Sequence, residues 1–174
     1  MQGELQFVRE SRYARSGELY RDPFLKLGEQ VMLAETLACF DEARRLYGGP
    51  LVITSGRRSL AHQDELRRAG LRAAQYSPHC HGAALDVYVP DLLTDWALVG
   101  LLKLAAENLS LPRPRIGFLA YRSDERTRRV VQRTALGEFV SSTFVHVDFV
   151  FLLRGFINDV PESVWRSWRE GVTW

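Results

Sequence analysis

The densest chemistry in the chain lies in ten residues, Ser77-Pro-His-Cys-His-Gly-Ala-Ala-Leu-Asp86. They hold two of the four histidines, one of the two cysteines and a carboxylate. His79 and Asp86 stand on either side of Gly82, a residue that lets the backbone turn sharply without a side-chain clash. The apolar run that follows, Ala83 to Val89, reads as a buried strand with Asp86 inside it. A lone charge there is costly unless it is paired or bound to a metal. Imidazole and carboxylate are good zinc ligands, but zinc needs at least one more protein ligand. The only histidine far downstream is His146, in the strand-like run Thr-Phe-Val-His-Val-Asp-Phe-Val. Two polar clusters inside two hydrophobic strands point to a single site. On spacing alone a loop histidine and a capping or salt-bridged aspartate remain equally open.

These residues also resemble a known family. Ser77-x-His79-x-x-Gly82-x-Ala84-x-Asp86 is similar to the S-x-H-x-x-G-x-A-x-D signature of the zinc D-Ala-D-Ala carboxypeptidases and murein endopeptidases. Their wider superfamily includes the hedgehog signalling domain. Phe144-Val-His-Val-Asp148 resembles the F-V-H-x-D segment of one branch, and Ser55-Gly-Arg-Arg-Ser59 the S-G-x-R-S segment that precedes the first metal motif. The pieces come in the family's order.

The resemblance implies one Zn²⁺ held by His79, Asp86 and His146, with water at an open fourth position, the arrangement of catalytic rather than structural zinc. Cys80 and His81 compete as ligands, but the family pattern leaves both positions variable, so they are read as neighbours. His62 reads as a surface residue. The resemblance places substrate or transition-state contacts at Arg58, whose planar fork suits a carboxylate; Arg57 is the alternate, and a surface salt bridge the plainer reading. Ser77 is expected to contact substrate or orient a ligand. Many relatives carry Glu three residues before the last histidine. Here that residue is Thr143, which cannot take a proton from water. Asp148, two residues after His146, shares its face on a strand. It is the favoured general base, with orienting a ligand or replacing one as its other roles. Glu138 is a looser candidate.

The elements that must position these groups follow from the pattern. Met1 to Asp22 reads as an arm laid over the domain, with Tyr13 and Tyr20 as anchors, and residues 23–174 as one peptidase domain. Helical periodicity runs from Pro23 to about Tyr47 and stops at Gly48-Gly49. Pro50 to Thr54 is a short strand. Ser59 caps a helix from Leu60 to about Ala69, with Gln63 in or near a capping box, and Gly70 stops it. Leu71 to Ser77 is a loop, and Gly82 to Val89 a strand. Asp91 caps a helix from Leu92 to about Asn108. Arg115 to Tyr121 and Ser142 to Leu153 are strands, and Pro161-Glu162-Ser163 opens a helix burying some of Trp165, Trp168 and Trp174. Arg122 to Arg133, with five arginines, reads as a solvated loop or a cell-wall docking surface. This order gives an α+β fold, a small, largely antiparallel sheet with flanking helices, as in the hedgehog and D-Ala-D-Ala peptidase superfamily.

Composition sets few limits beyond this. The 174 residues suit one domain with a full core. A net charge of +2 demands no nucleic-acid partner, although 21 of the 23 basic residues are arginine. No apolar run is long enough for a membrane span. Cys39 and Cys80 read as free, buried thiols. The reading that follows is a zinc metallopeptidase cutting an amide bond in peptidoglycan stem peptides or cross-links, as a carboxypeptidase or endopeptidase. Its alternative is a non-catalytic zinc-dependent binding module of the same fold. Peptidoglycan lies outside the cytoplasm, and no leader is visible. The expectation is therefore a periplasmic or extracytoplasmic enzyme that has lost its leader, or one released as phage endolysins are. The pattern is silent on oligomeric state.

Overall fold

The computed structural model describes residues 4–70, 74–90, 95–119, 131–133, 139–141 and 144–170. Its centre is a four-stranded antiparallel sheet of β3 (Val52–Ser55), β4 (Ala84–Tyr88), β8 (Phe144–Asp148) and β5 (Arg115–Leu119), in that spatial order. Antiparallel pairing sets residues directly opposite one another, and alternation then sends each row to one face. Ile53, Leu85, Val87, Ile116, Val145 and Val147 form the apolar face. They share one core with Leu37 and Phe40 of α2 (Ala34–Tyr47) and Leu98 and Leu102 of α4 (Asp95–Asn108). The other face carries the polar residues. One row across it reads Ser55, Asp86, His146, Gly117, and the next Ala84, Asp148, Arg115. The expected α+β architecture, an antiparallel sheet with flanking helices, is the observed one.

Two further antiparallel pairs lie outside this sheet. β1 (Phe7–Val8) pairs antiparallel with β2 (Met32–Leu33), and β6 (Val131–Arg133) with β7 (Phe139–Ser141). Asp41 of α2 accepts from the Ser11 hydroxyl and the Tyr13 N–H. Leu19, closing α1 (Ser16–Leu19), and Tyr20 are buried in the core. Asp22 accepts the Ser59 N–H at 2.5 Å, while the Ser59 hydroxyl caps α3 (Leu60–Arg68) by accepting the His62 N–H. Cys39 and Cys80 are free and buried.

Two boundaries and one cap differ from expectation. The helix expected from Pro23 starts only at Ala34, because Met32 and Leu33 are held extended. Their partners are β1 and the Gly82 carbonyl, which accepts the Leu33 N–H at 2.8 Å, and these long-range bonds override helical periodicity. The last strand ends at Asp148 rather than Leu153. Asp148 Oδ1 accepts the Val150 N–H at 3.1 Å, the local turn that aspartate favours, and a 3₁₀ turn, Val150–Leu153, follows. Gln63 is no capping residue: it is buried and bonded elsewhere. The Asp91 cap, the loop at 71–73, Trp174 and most of the Arg122 to Arg133 segment lie outside the described residues.

Candidate metal centre

The turn bearing His79 is built by Ser77-Pro78 and Gly82. Pro78 opens a 3₁₀ turn, Pro78–His81, and Gly82 closes it at φ +69°, a conformation that L side chains resist. A Cβ on Gly82 would also stand 2.8 Å from the Val31 carbonyl oxygen, so the turn needs glycine on two grounds. Gly56 is needed for a different reason. A Cβ there would collide with the Leu19 carbonyl oxygen, and the resulting close approach leaves the Gly56 carbonyl 2.8 Å from His79 Nδ1.

That carbonyl fixes the imidazole. A carbonyl only accepts, so Nδ1 carries the proton and Nε2 keeps its lone pair. Nε2 faces Asp86 Oδ1 at 3.2 Å. His146 turns the opposite nitrogen to Asp86, and both its ring nitrogens face carboxylates. Its Nε2 donates to Asp148 Oδ2 at 2.8 Å, and its Nδ1 faces Asp86 Oδ1 at 2.8 Å. The ligand atoms of His79, Asp86 and His146 all lie within 4.8 Å of one another. Two imidazole nitrogens and a carboxylate oxygen converge, each ring held from behind by an acceptor. Such outer partners fix tautomer and orientation in metal sites, and the donor set fits zinc with one position left open. The three residues expected as ligands are the ones brought together.

The charges agree with a site built for a cation. Burial opposes ionisation of Asp86, but the neighbouring His79 and His146 outweigh it and hold the carboxyl well below the usual range. Burial also lowers the pKa of His79. Burial likewise disfavours the His146 cation, yet its bonds to Asp148 and Asp86 win and raise it to about 9.

Arg58 stands beside this group. Its Nη2 lies 3.5 Å from Asp86 Oδ2, and its Nε and Nη2 donate to the Ser55 hydroxyl at 2.9 and 2.7 Å. Gln63 Oε1 accepts from Arg58 Nη1 at 3.2 Å, and Gln63 Nε2 donates to the Ala74 carbonyl at 2.7 Å. The Arg58 side chain is 20% exposed, against 4% for that of Asp86. Ser77 is buried at the start of the turn, and its carbonyl accepts the Cys80 N–H. Arg57 points the other way, with Nη1 on the His79 carbonyl and Nε on the Glu29 carbonyl. Cys80 Sγ faces the Ser59 carbonyl, and His81 lines a separate groove with Arg57, Phe7 and Phe156. Neither joins the three converging ligands.

Asp148 does not offer the free oxygen that a general base needs. It is fully buried, and its carboxyl is held below the usual range against the effect of burial by bonds from His146 and Arg115. Oδ1 accepts from Arg115 Nε and Val150 N, and Oδ2 from His146 Nε2, Arg115 Nε and Arg115 Nη2. Its geometry is that of the ligand-orienting role. Thr143 and Glu138 lie outside the described residues. Sequence reasoning misses Arg115, Gln63 and the Gly56 carbonyl. Arg115 lies opposite Asp148 only through the β5–β8 register, which spacing does not reveal. Gln63 sits one position beyond the capping box, and a carbonyl leaves no mark in a sequence.

His79, Asp86 and His146 thus form a group that could hold a metal ion, two of them buried and His146 partly so, at the polar face of an antiparallel sheet in an α+β fold. The chain belongs to the family described as Peptidase M15, which matches residues 7–108. That segment contains Arg58, Ser77, His79 and Asp86, whereas His146 and Asp148 lie beyond it. Among solved structures, the Serratia marcescens L-Ala D-Glu endopeptidase ChiX is similar at 20% identity and a TM-score of 0.42, covering 72% of this chain and 84% of its own. No curated protein sequence matches the chain.

Proposed function

We propose that this peptidase is a zinc enzyme that hydrolyses an amide bond in peptidoglycan stem peptides or cross-links. The observation that carries the metal assignment is the arrangement of the two rings. His79 Nδ1 is committed to the Gly56 carbonyl and His146 Nε2 to Asp148, so that the other nitrogen of each ring faces Asp86. The substrate class follows from family membership together with the S-x-H-x-x-G-x-A-x-D resemblance.

His79, Asp86 and His146 would hold a zinc ion, which would supply the Lewis acidity for activating water and polarising the scissile carbonyl. The chain's own residues do the rest. Gly56 and Asp148 hold the two imidazoles in the ligating tautomers. Arg58, steadied by Ser55 and Gln63, presents a fixed positive charge at the rim, where it binds a substrate carboxylate or the oxyanion that develops during attack. Asp148 keeps His146 in place, so the proton acceptor is another group. No helix among the described residues is long and apolar enough to cross a membrane, and a peptidoglycan substrate implies work outside the cytoplasm.

A second reading, a zinc-dependent binding module without turnover, draws on one observation. Both carboxylates bonded into the site, Asp86 and Asp148, are fully engaged. One experiment separates the two readings. Purified peptidoglycan fragments are incubated with the protein, with and without a zinc chelator, and the products weighed by mass spectrometry. Chelator-sensitive release of a defined peptide establishes the enzyme and names its bond. A protein that carries one zinc and releases nothing is the binding module.

A further inference from the structure

Arg115 is bonded through all three guanidinium nitrogens, and nothing in the proposed reaction uses it. Its Nε donates to Asp148 Oδ1 at 3.0 Å and to Oδ2 at 3.1 Å, and its Nη2 donates to Oδ2 at 2.6 Å. Its Nη1 donates to the Trp168 carbonyl, at 2.6 Å, in α5 (Glu162–Glu170). The guanidinium carbon lies 5.6 Å from the Phe151 ring centre and 5.7 Å from that of Trp168, within the range of cation–π attraction. The side chain is 10% exposed and that of Asp148 is 0%.

A buried ion pair of this kind adds little net stability over an apolar pair of the same volume. What a two-pronged contact adds is orientation. Asp148 alone is free to rotate its carboxylate plane. With both oxygens held by the Arg115 fork, Oδ2 stays 2.8 Å from His146 Nε2. That bond in turn keeps His146 Nδ1 turned to Asp86. The connection runs from the Trp168 carbonyl through Arg115, Asp148 and His146 to Asp86, crossing α5, β5, β8 and β4. Every residue of it except Asp86 lies beyond the segment matched by the family, residues 7–108.

We propose that Arg115 is a positioning residue of the metal centre, fixing the His146 ligand through Asp148 and linking the C-terminal helix to metal affinity. The proposal rests on the reading of His79, Asp86 and His146 as metal ligands. It gives the C-terminal third of the chain a part in function, because α5 supplies the carbonyl and an aromatic ring that hold the guanidinium still.

The test uses the full chain. Wild type, Arg115→Met and Arg115→Lys are stripped of metal and titrated with zinc against a competing chelator. The visible spectrum of each cobalt(II)-loaded protein is recorded, together with the melting temperature of the metal-free form. Arg115→Met is expected to bind zinc on the order of 10-fold more weakly, the lower end for loss of an outer partner, with altered cobalt bands. Arg115→Lys keeps the charge but lacks the fork, and is expected to lie between the two. If Arg115→Met does not fold, Arg115→Lys carries the test. A folded variant with wild-type zinc affinity and a wild-type cobalt spectrum overturns the proposal, whatever its melting temperature. Wild-type protein that takes up no stoichiometric zinc overturns the ligand reading itself, a failure seen before any variant is made.

Discussion

Asp86 and His146 are directly opposed across the β4–β8 pairing, and Asp86 Oδ1 lies 2.8 Å from His146 Nδ1. The pairing of two strands thus sets this contact, whereas His79 reaches the same oxygen from the turn that precedes β4. A site assembled in this way depends on register as much as on residue identity. A one-residue slip would send Asp86 or His146 to the apolar face.

The ligand assignment makes a direct prediction. His79→Ala and Asp86→Ala should each abolish stoichiometric zinc, read by elemental analysis of protein purified with zinc and dialysed. Three protein ligands are the minimum for a catalytic zinc, so loss of either leaves too few. One zinc per chain retained in both variants is the result that excludes this site. Gly17→Ala is a suitable control, since a Cβ there meets nothing within 4 Å.

Zinc uptake should release a proton. Asp148 and Asp86 raise His146 to about 9 against the opposing effect of burial, so the metal-free protein holds His146 protonated at pH 7. The ligand must be neutral, so binding at that pH expels about one proton, and affinity falls as the solution is acidified. Calorimetry in buffers of different ionisation enthalpy reads the count. The stability of the metal-free protein carries the same signature. A raised folded-state pKa stabilises fully below the ordinary histidine value of 6.5, and that contribution is lost as pH rises through about 9. The metal-free melting temperature should therefore fall across this window, and that of the zinc-loaded protein should not. Buffer-independent binding heats at pH 7 would count against a protonated His146.

Asp148→Asn distinguishes a base from an orienting residue. A base lost to asparagine leaves metal affinity intact and removes turnover. The observed bonds predict another outcome. Asparagine leaves the buried Arg115 charge without its carboxylate, a loss that costs about 3–5 kcal/mol for a broken buried pair. It also weakens the acceptor behind His146, which should lower zinc affinity by about 10-fold or more. Denaturant unfolding and zinc titration of the same variant measure both. Unchanged stability and affinity with abolished turnover would restore Asp148 as the base.

How much of this is legible in the sequence depends on how local each feature is. The turn from Ser77 to Gly82 and the strand after it are specified by their own residues, so His79 and Asp86 stand out in the chain. The alternation of Phe144 to Asp148 places His146 and Asp148 on one face without reference to anything else. The helix start at Ala34 is hidden because the bonds that keep Met32 and Leu33 extended come from Phe7, Val8 and Gly82, far away in sequence. Arg115 reads only as the start of a strand. Its partners are Asp148 and the Trp168 carbonyl, 33 and 53 residues on, and no local pattern encodes them. The role of Asp148 is hidden in the same way: its position is readable, but the cation that occupies its oxygens is not.

Arg58 and Gln63 should separate substrate use from metal binding. Arg58 touches Asp86 only at 3.5 Å through Nη2, while Ser55 and Gln63 hold its remaining nitrogens. Arg58→Ala is therefore expected to keep its zinc and lose kcat/KM toward a carboxylate-bearing peptide. The loss should be about 10²–10³-fold if the guanidinium meets the developing oxyanion, by analogy with loss of one oxyanion donor. Gln63 acts one step back. Gln63→Leu removes the support at Nη1 and leaves the Ala74 carbonyl without its donor, a change that costs about 1–3 kcal/mol for a buried group left unpaired. Its activity should fall less than that of Arg58→Ala. A loss in KM with kcat retained would mark Arg58 as an anchor for the ground-state carboxylate, and an equal fall in kcat and kcat/KM as a transition-state contact. Unchanged kcat/KM in Arg58→Ala would remove this arginine from the reaction and leave it as the salt-bridge partner of Asp86.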